Sequence, residues 1–298
     1  LAFTLITIPQ EQVTPSNTIT DTLTLSAQIQ PVTSAIRAHL FGVRRMNKTR
    51  QTAQYGGILA ANSHADRASD LDGVTVAYND LAAADGGSAT GGGGGNAKGL
   101  WITSAYSALK NDFSRTSFDG NLHNLLAGFD FSQSDKYIFG VALSHESSQF
   151  NTKFNVGNEK TSGLNISPYF AVLLSDRWSF DLSLGHGKFN TSQSRAATDI
   201  ATLPISVVAV GSDFSSTRDF VSTNLTHVAS WGNWKTTGFF GFTAAKHKQE
   251  SYTESDATTV EESSKTHKQW NLGGEAAYGH GDSESYVGLN YERTPNPE

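Results

Sequence analysis

In the stretch KYIFGVALSHESS (Lys136 to Ser148), the bulky Tyr137, Phe139, Val141 and Leu143 alternate with Ile138, Gly140, Ala142 and Ser144. A period of two belongs to a β-strand, whose side chains point alternately to opposite faces. The pattern returns in Leu125–Phe131, in Leu164–Leu174 across Pro168, in Trp178–Leu184, Val221–Trp231 and Trp234–Phe242, and again in Trp270–Tyr278 and Val287–Tyr291. With a further strand near Leu100 to Leu109, about nine strands are expected. Each carries its bulk on one face, so the chain is read as all-β.

Composition narrows the class. The 298 residues include 28 Gly, one Met and no Cys, and 17% are charged. Without Cys there are neither disulfides nor thiolate metal sites. A net charge of −6 argues against nucleic acid as a partner. No run approaches the roughly 18 apolar residues of a membrane helix, but a membrane-spanning strand needs only about 9 to 11 residues with every second one apolar.

Two regions follow different rules. Residues 1–30, opening with LAFTLITIP, read as the tail of a preceding domain or a linker. Over residues 31–46, Val32, Ile36, Leu40 and Val43 recur at helical spacing, Pro31 suits a first turn, and Arg44 and Arg45 suit the last. Residues 47–97, ending in AADGGSATGGGGGNA, read as a Gly-rich flexible linker. Residues 98–298 hold the strands. The start at Leu1, without Met or a leader, reads as a piece of something longer.

The connections alternate. SQSDK, SDR, GN and HGDSES are short, whereas 110–119, 150–160, 190–217 and 249–265 read as long polar loops, with TLPISVVAVGS in the longest a candidate hairpin. Short and long connections on opposite edges are the grammar of an up-and-down antiparallel transmembrane β-barrel. Aromatic residues gather beside the short turns, as a membrane interface requires: Trp101, Tyr137, Trp178, Trp231 and Trp234 are the candidate girdle. By parity the opposite face carries Asp130, Glu146, Asn165, Asp181, Asn224, Lys235, Glu275, Asn290 and Glu292. In a barrel they line a wet lumen. In a soluble secreted β-sandwich or binding module they are the solvent face.

Residues 99–151 (GLWITSAYSALKNDFSRTSFDGNLHNLLAGFDFSQSDKYIFGVALSHESSQFN) and the hairpin SGLNISPYFAVLLSDRWSFDLSLGHGKFN resemble the translocator β-domains of autotransporters (type Va secretion). The likeness covers about Gly99 to Arg293. It implies a twelve-stranded outer-membrane barrel of a Gram-negative bacterium, loops outside, with a lumenal helix and a secreted passenger upstream. About nine strands are visible, so the barrel reads as C-terminally incomplete. The resemblance makes the 31–46 helix a candidate plug, with Arg37, Arg44 and Arg45 facing carboxylates such as Asp130, Asp181 or Glu275. It also implies outer-membrane lipids, the protein's own passenger, the barrel assembly machinery and periplasmic chaperones as partners. No Asn-Asn pair stands in or after the helix, so self-cleavage has no visible residues.

Catalytic, metal and cofactor motifs are not expected. GDSES (Gly281–Ser285) lacks the remaining residues of a GDSL esterase block. The poly-Gly run lacks the Lys and hydroxyl of a phosphate loop. SDLDG (Ser69–Gly73) has calcium-loop spacing, but Ala68 and Asn79 stand at its first and twelfth positions. The expected function is an outer-membrane pore exporting or anchoring its own N-terminal passenger, not an enzyme. A passive porin or adhesin-like barrel with ligand-binding loops is the alternative.

Overall fold

The computed structural model describes residues 24–37, 39–40, 67–68, 74–79, 98–113, 116–134, 136–199, 206–280 and 283–294. A helix, α1, covers 24–37 and 39–40. Among the described residues thirteen strands follow: β1 (Arg67–Ala68), β2 (Val74–Asn79), β3 (Lys98–Asn111), β4 (Phe118–Ser134), β5 (Tyr137–Thr152), β6 (Gly157–Leu173), β7 (Trp178–Asp199), β8 (Ser206–Trp231), β9 (Trp234–Gln249), β10 (Tyr252–Thr253), β11 (Thr259–Val260), β12 (Ser263–His280) and β13 (Ser283–Arg293). Eleven form one antiparallel sheet in the order β1-β2-β3-β4-β5-β6-β7-β8-β9-β12-β13, and β10 pairs with β11. This is a single meander, not the two stacked sheets of a sandwich.

The sheet is curled around α1. Nine flat strands at about 4.8 Å spacing span about 38 Å, several times the radius of a helix. Yet α1 touches Asp130 on β4, Arg218 and Asn224 on β8, and Glu292 on β13. Its stripe Leu25, Ile29, Val32, Ile36 and Leu40 packs on the concave face against Trp101, Leu126, Ile138, Tyr169 and Phe220. The opposite, convex face exposes Leu100, Ile102, Leu125, Leu143, Leu164, Ile166, Phe240, Leu272 and Leu289. A soluble sheet would have its apolar side chains inside and its polar ones out. Here the outward face is apolar.

Glycines on the concave face have a steric reason. Gly128, Gly140, Gly163, Gly185 and Gly273 stand directly across the ladder from Trp101, Tyr169, Phe189, Phe220 and Phe239. A Cβ at any of them would collide with the facing ring. Each ring lies flat over its neighbour strand, thinning the wall and leaving room for α1.

Three boundaries differ from the sequence reading. α1 is already helical at residue 24, not Pro31, because Leu25 and Ile29 extend the apolar stripe backward. Their burial offsets the hydrogen bond that Pro31 cannot donate. So residues 24–30 are helix, not linker, while 41–46 lie outside the described residues. Within the expected linker, β1 and β2 pair, and β2 joins β3. Much of the supposed long loops is strand, above all in 190–217: β7 and β8 stay paired from Trp178/His227 to Asp199/Ser206, and TLPISVVAVGS enters β8 at Ser206. Outward residues there turn polar, which hid the strands, while Phe189, Val210 and Phe214 keep the inward alternation. The short connections stand where the sequence put them, after β4, β6, β8 and β12.

Candidate functional site: the helix-filled lumen

Polar contacts tie α1 to the concave face. Near its start, Arg218 donates from Nη1 to Glu146 Oε2 (2.8 Å) and from Nη2 to Glu146 Oε1 (3.2 Å), and Nη2 also donates to Gln28 Oε1 (2.7 Å). Both charged side chains are at most 5% exposed, and the guanidinium lies 4.1 Å over the Phe189 ring. Two buried charges need mutual neutralisation and further hydrogen bonds to offset lost hydration. Gln28, from the helix, supplies one.

Two residues on, Gln30 donates to Glu292 Oε1 at 3.1 Å, and Gln269 and Asn290 donate to the same carboxylate. Arg37 donates to Asn224 Oδ1 at 3.3 Å and lies over Phe239, and Asn224 in turn donates to Asp181 at 2.9 Å. At the far end of the helix, His39 meets Asp130 at 3.0 Å and stacks on Trp101 at 4.7 Å. Trp101 donates from Nε1 to the Tyr169 hydroxyl at 2.9 Å.

The partners fix the helix direction. Ala27 clusters with Leu109, Phe118, Leu122 and Phe150, near the edge away from the tight turns. His39 reaches Asp130, close to the tight-turn edge. So α1 runs from the long-strand edge toward the tight turns.

At that edge the β9–β12 connection folds inward as a strap. Tyr252 stacks on Phe214 at 4.5 Å, and its hydroxyl accepts from Gln193 at 2.7 Å. Arg195 donates to Glu254 twice, at 3.2 and 2.6 Å, with 3% and 1% of the two side chains exposed. The Glu254 hydrogen bonds hold the Arg195 guanidinium above its ordinary value. Burial pushes the Asp256 carboxyl up, but the Thr258 hydrogen bonds and the Arg195 charge outweigh it and leave it lowered.

Asp130, Glu146, Asn165, Asp181 and Asn224 are buried on the concave face, and Lys235, Glu275 and Glu292 are half-buried there. Asn165 donates to Ser144 and Ser167 rather than to α1. Arg37 faces the wall through Asn224, and Asp130 receives His39. Arg44 and Arg45 lie outside the described residues. Tyr137, Trp178, Trp231 and Trp234 are exposed beside the tight turns. Trp101 is a correction: it is 6% exposed and turned inward, because Gly128 leaves space for its ring and His39 covers it. Gln28, Gln30, His39 and Arg218 were missed. The first two preceded the expected helix, and Arg218 lay next to an expected loop.

Among the described residues, no His, Cys, Asp or Glu cluster suits a metal ion, and no helix is long and apolar enough to cross a membrane. Ser285 meets His280 across the β12–β13 hairpin at 3.1 Å, while Gly281, Asp282 and the SDLDG segment lie outside the described residues.

The family model described as "Autotransporter beta-domain" matches residues 100–297. Among solved structures, the chain is similar to the translocator domain of the autotransporter NalP from Neisseria meningitidis, with 13% identity, TM-score 0.53, and 72% of this chain covering 74% of that one. It is also similar to the β-domain of the Bordetella autotransporter BrkA, with 15% identity, TM-score 0.51, and 66% covering 80%. No curated protein sequence matches it.

Proposed function

Because the chain belongs to the autotransporter β-domain family, and so is an outer-membrane translocator domain, we propose that it exports the polypeptide joined ahead of α1 and then keeps α1 in the lumen as plug and tether. The observation that carries this reading is the direction of α1. Its first turns lie at the long-strand edge and its last at the tight turns, so the chain threads the curled sheet once and delivers its N-terminal side to one face of the membrane. The tight turns face the periplasm and the long-strand edge the outside. Tyr137, Trp178, Trp231 and Trp234 anchor the periplasmic interface.

Transport by this route is geometric, not catalytic. Between its paired strands, sheet hydrogen bonds satisfy the backbone in lipid, and the polar lumen gives an extended chain a wet path. The barrel assembly machinery and periplasmic chaperones are the partners for insertion.

The test is an epitope joined ahead of Leu1 in cells, with added protease, alongside bilayer conductance of the purified chain. We expect surface exposure of the epitope and a closed pore that conducts steadily once residues 24–40 are deleted. An epitope confined to the periplasm, with conductance unchanged by the deletion, would refute the reading in favour of a passive pore.

A further inference from the structure

The convex face changes character along its strands, and it does so unequally at its two edges. On β7 the outward series Trp178, Phe180, Leu182 and Leu184 gives way to His186 and Lys188. On β9, Phe240, Phe242 and Ala244 give way to Lys246 and Lys248. On β12, Leu272 and Trp270 give way to Lys268, and on β13, Leu289 and Tyr291 give way to Arg293. Among the residues whose side chains are described, the tight-turn edge shows no matching outward row. There Lys136 and Arg177 stand in turns, and Lys235 is on the concave face.

The register brings the rim cations together. His186, Asp219, Lys246 and Thr266 are successive cross-strand partners, as are Lys188, Thr217, Lys248 and Ser264. Arg293 faces Trp270, two residues from Lys268. The nearby carboxylates are engaged: Asp219 holds His186 at 2.7 Å, and Glu262 holds Lys248 at 2.9 Å. Among the described residues, Lys188, Lys246, Lys268 and Arg293 have no carboxylate partner, and all four are exposed. This is a strip of uncompensated positive charge on a chain whose net charge is −6. It runs along the line where the apolar face ends.

We propose that this rim binds the phosphate-bearing head groups of lipids in the leaflet at the long-strand edge. The inference rests on the convex face being the lipid face. Charge and position together select the ligand. Phosphate is the anion that a lipid places at the apolar boundary, Arg and Lys are its usual partners, and Thr217 and Thr266 set hydroxyl donors between the cations. A soluble anionic partner would have no reason to require the adjoining strip of Trp270, Leu272 and Tyr291.

The purified full chain is folded into phosphatidylcholine vesicles with or without lipid A, a diphosphorylated glucosamine lipid, extracted in mild detergent, and weighed by native mass spectrometry. The wild type retains lipid A in preference to phosphatidylcholine. The variant Lys188→Gln, Lys246→Gln, Lys268→Gln, Arg293→Gln loses that retention by at least about tenfold, while Lys136→Gln with Arg177→Gln keeps it. Heat-modifiable migration is recorded for each protein, so loss of the barrel is distinguished from loss of the lipid. Should the fourfold variant fail to fold, rising salt must strip lipid A from the wild type. Equal retention by wild type and folded variant, salt-insensitive retention, or equal retention of phosphatidylcholine overturns the proposal.

Discussion

Tyr169 shows how much one small neighbour decides. Its ring lies over Gly140 on the facing strand, its hydroxyl accepts the Trp101 indole hydrogen, and its edge meets His39. In Gly140→Val the new side chain occupies the ring's place, so Tyr169 must move and release Trp101. Overpacking of this kind costs about 1–3 kcal/mol, and we expect a lower denaturation midpoint together with a changed near-ultraviolet Trp signal. An unchanged midpoint would mean the ring has another resting place. Val156 makes the opposite prediction. It is 81% exposed in the β5–β6 turn at φ 52°, a conformation that crowds a β-branched side chain. Val156→Gly should raise the midpoint by an amount corresponding to about 1 kcal/mol. Sequence alternation showed which residues share a face, but the aromatic that covers a given glycine depends on register, which alternation does not encode. That is why Trp101 read as an interfacial anchor, although it packs beneath α1.

At the scale of elements, a buried ion pair ties the β10–β11 strap to the inner face of β7. Glu254→Gln leaves Arg195 with Asp256, 3.8 Å away, as its remaining carboxylate. Breaking a buried pair from one side costs about 3–5 kcal/mol; the strap is also held by the Tyr252 stack, the Gln193–Tyr252 hydrogen bond and bonds to Gly211 and Ser215. Amide exchange should therefore rise at Glu254 and Ser255, whose N–H groups bond Thr258 and Gly211, while the β7–β8 ladder stays protected. Protection lost equally in that ladder would show that the pair supports the hairpin and not the strap alone. Asp256 gives the same element a pH sense. Its lowered carboxyl contributes stability above the ordinary Asp value of about 3.9, and that contribution is lost as pH falls below it. The strap itself was not legible: SYTESDATTVEES has neither a long alternation nor a helical period. The nine long strands and their tight turns were legible, because there an apolar outward face makes the period visible. The helix was half legible, since its stripe continues through a proline that sequence rules place at a start.

For the molecule as a whole, the faces are inverted relative to a water-soluble sheet, and the five tryptophans report this. Trp178, Trp231 and Trp234 are exposed beside the tight turns, whereas Trp270 is exposed and stacked with Phe240 just inside the cationic rim. Trp101 is under α1 on the other face. Five single-Trp variants, the remaining indoles replaced by Phe, are folded into vesicles whose lipids carry bromine either near the head group or at the chain middle. A curled sheet with lipid outside requires the four convex indoles to be quenched, more by the shallow label than by the deep one, because they sit at the two ends of the apolar band. Trp101 must be quenched by neither, since the wall and the helix separate it from lipid. Quenching of Trp101 comparable to that of Trp234 would mean that α1 does not occupy the concave face in the membrane. Removing residues 24–40 then makes a second, sharper demand. Trp101 should become accessible to a water-borne quencher and still be untouched by brominated lipid, because taking away the helix opens a wet lumen and leaves the lipid face as it was.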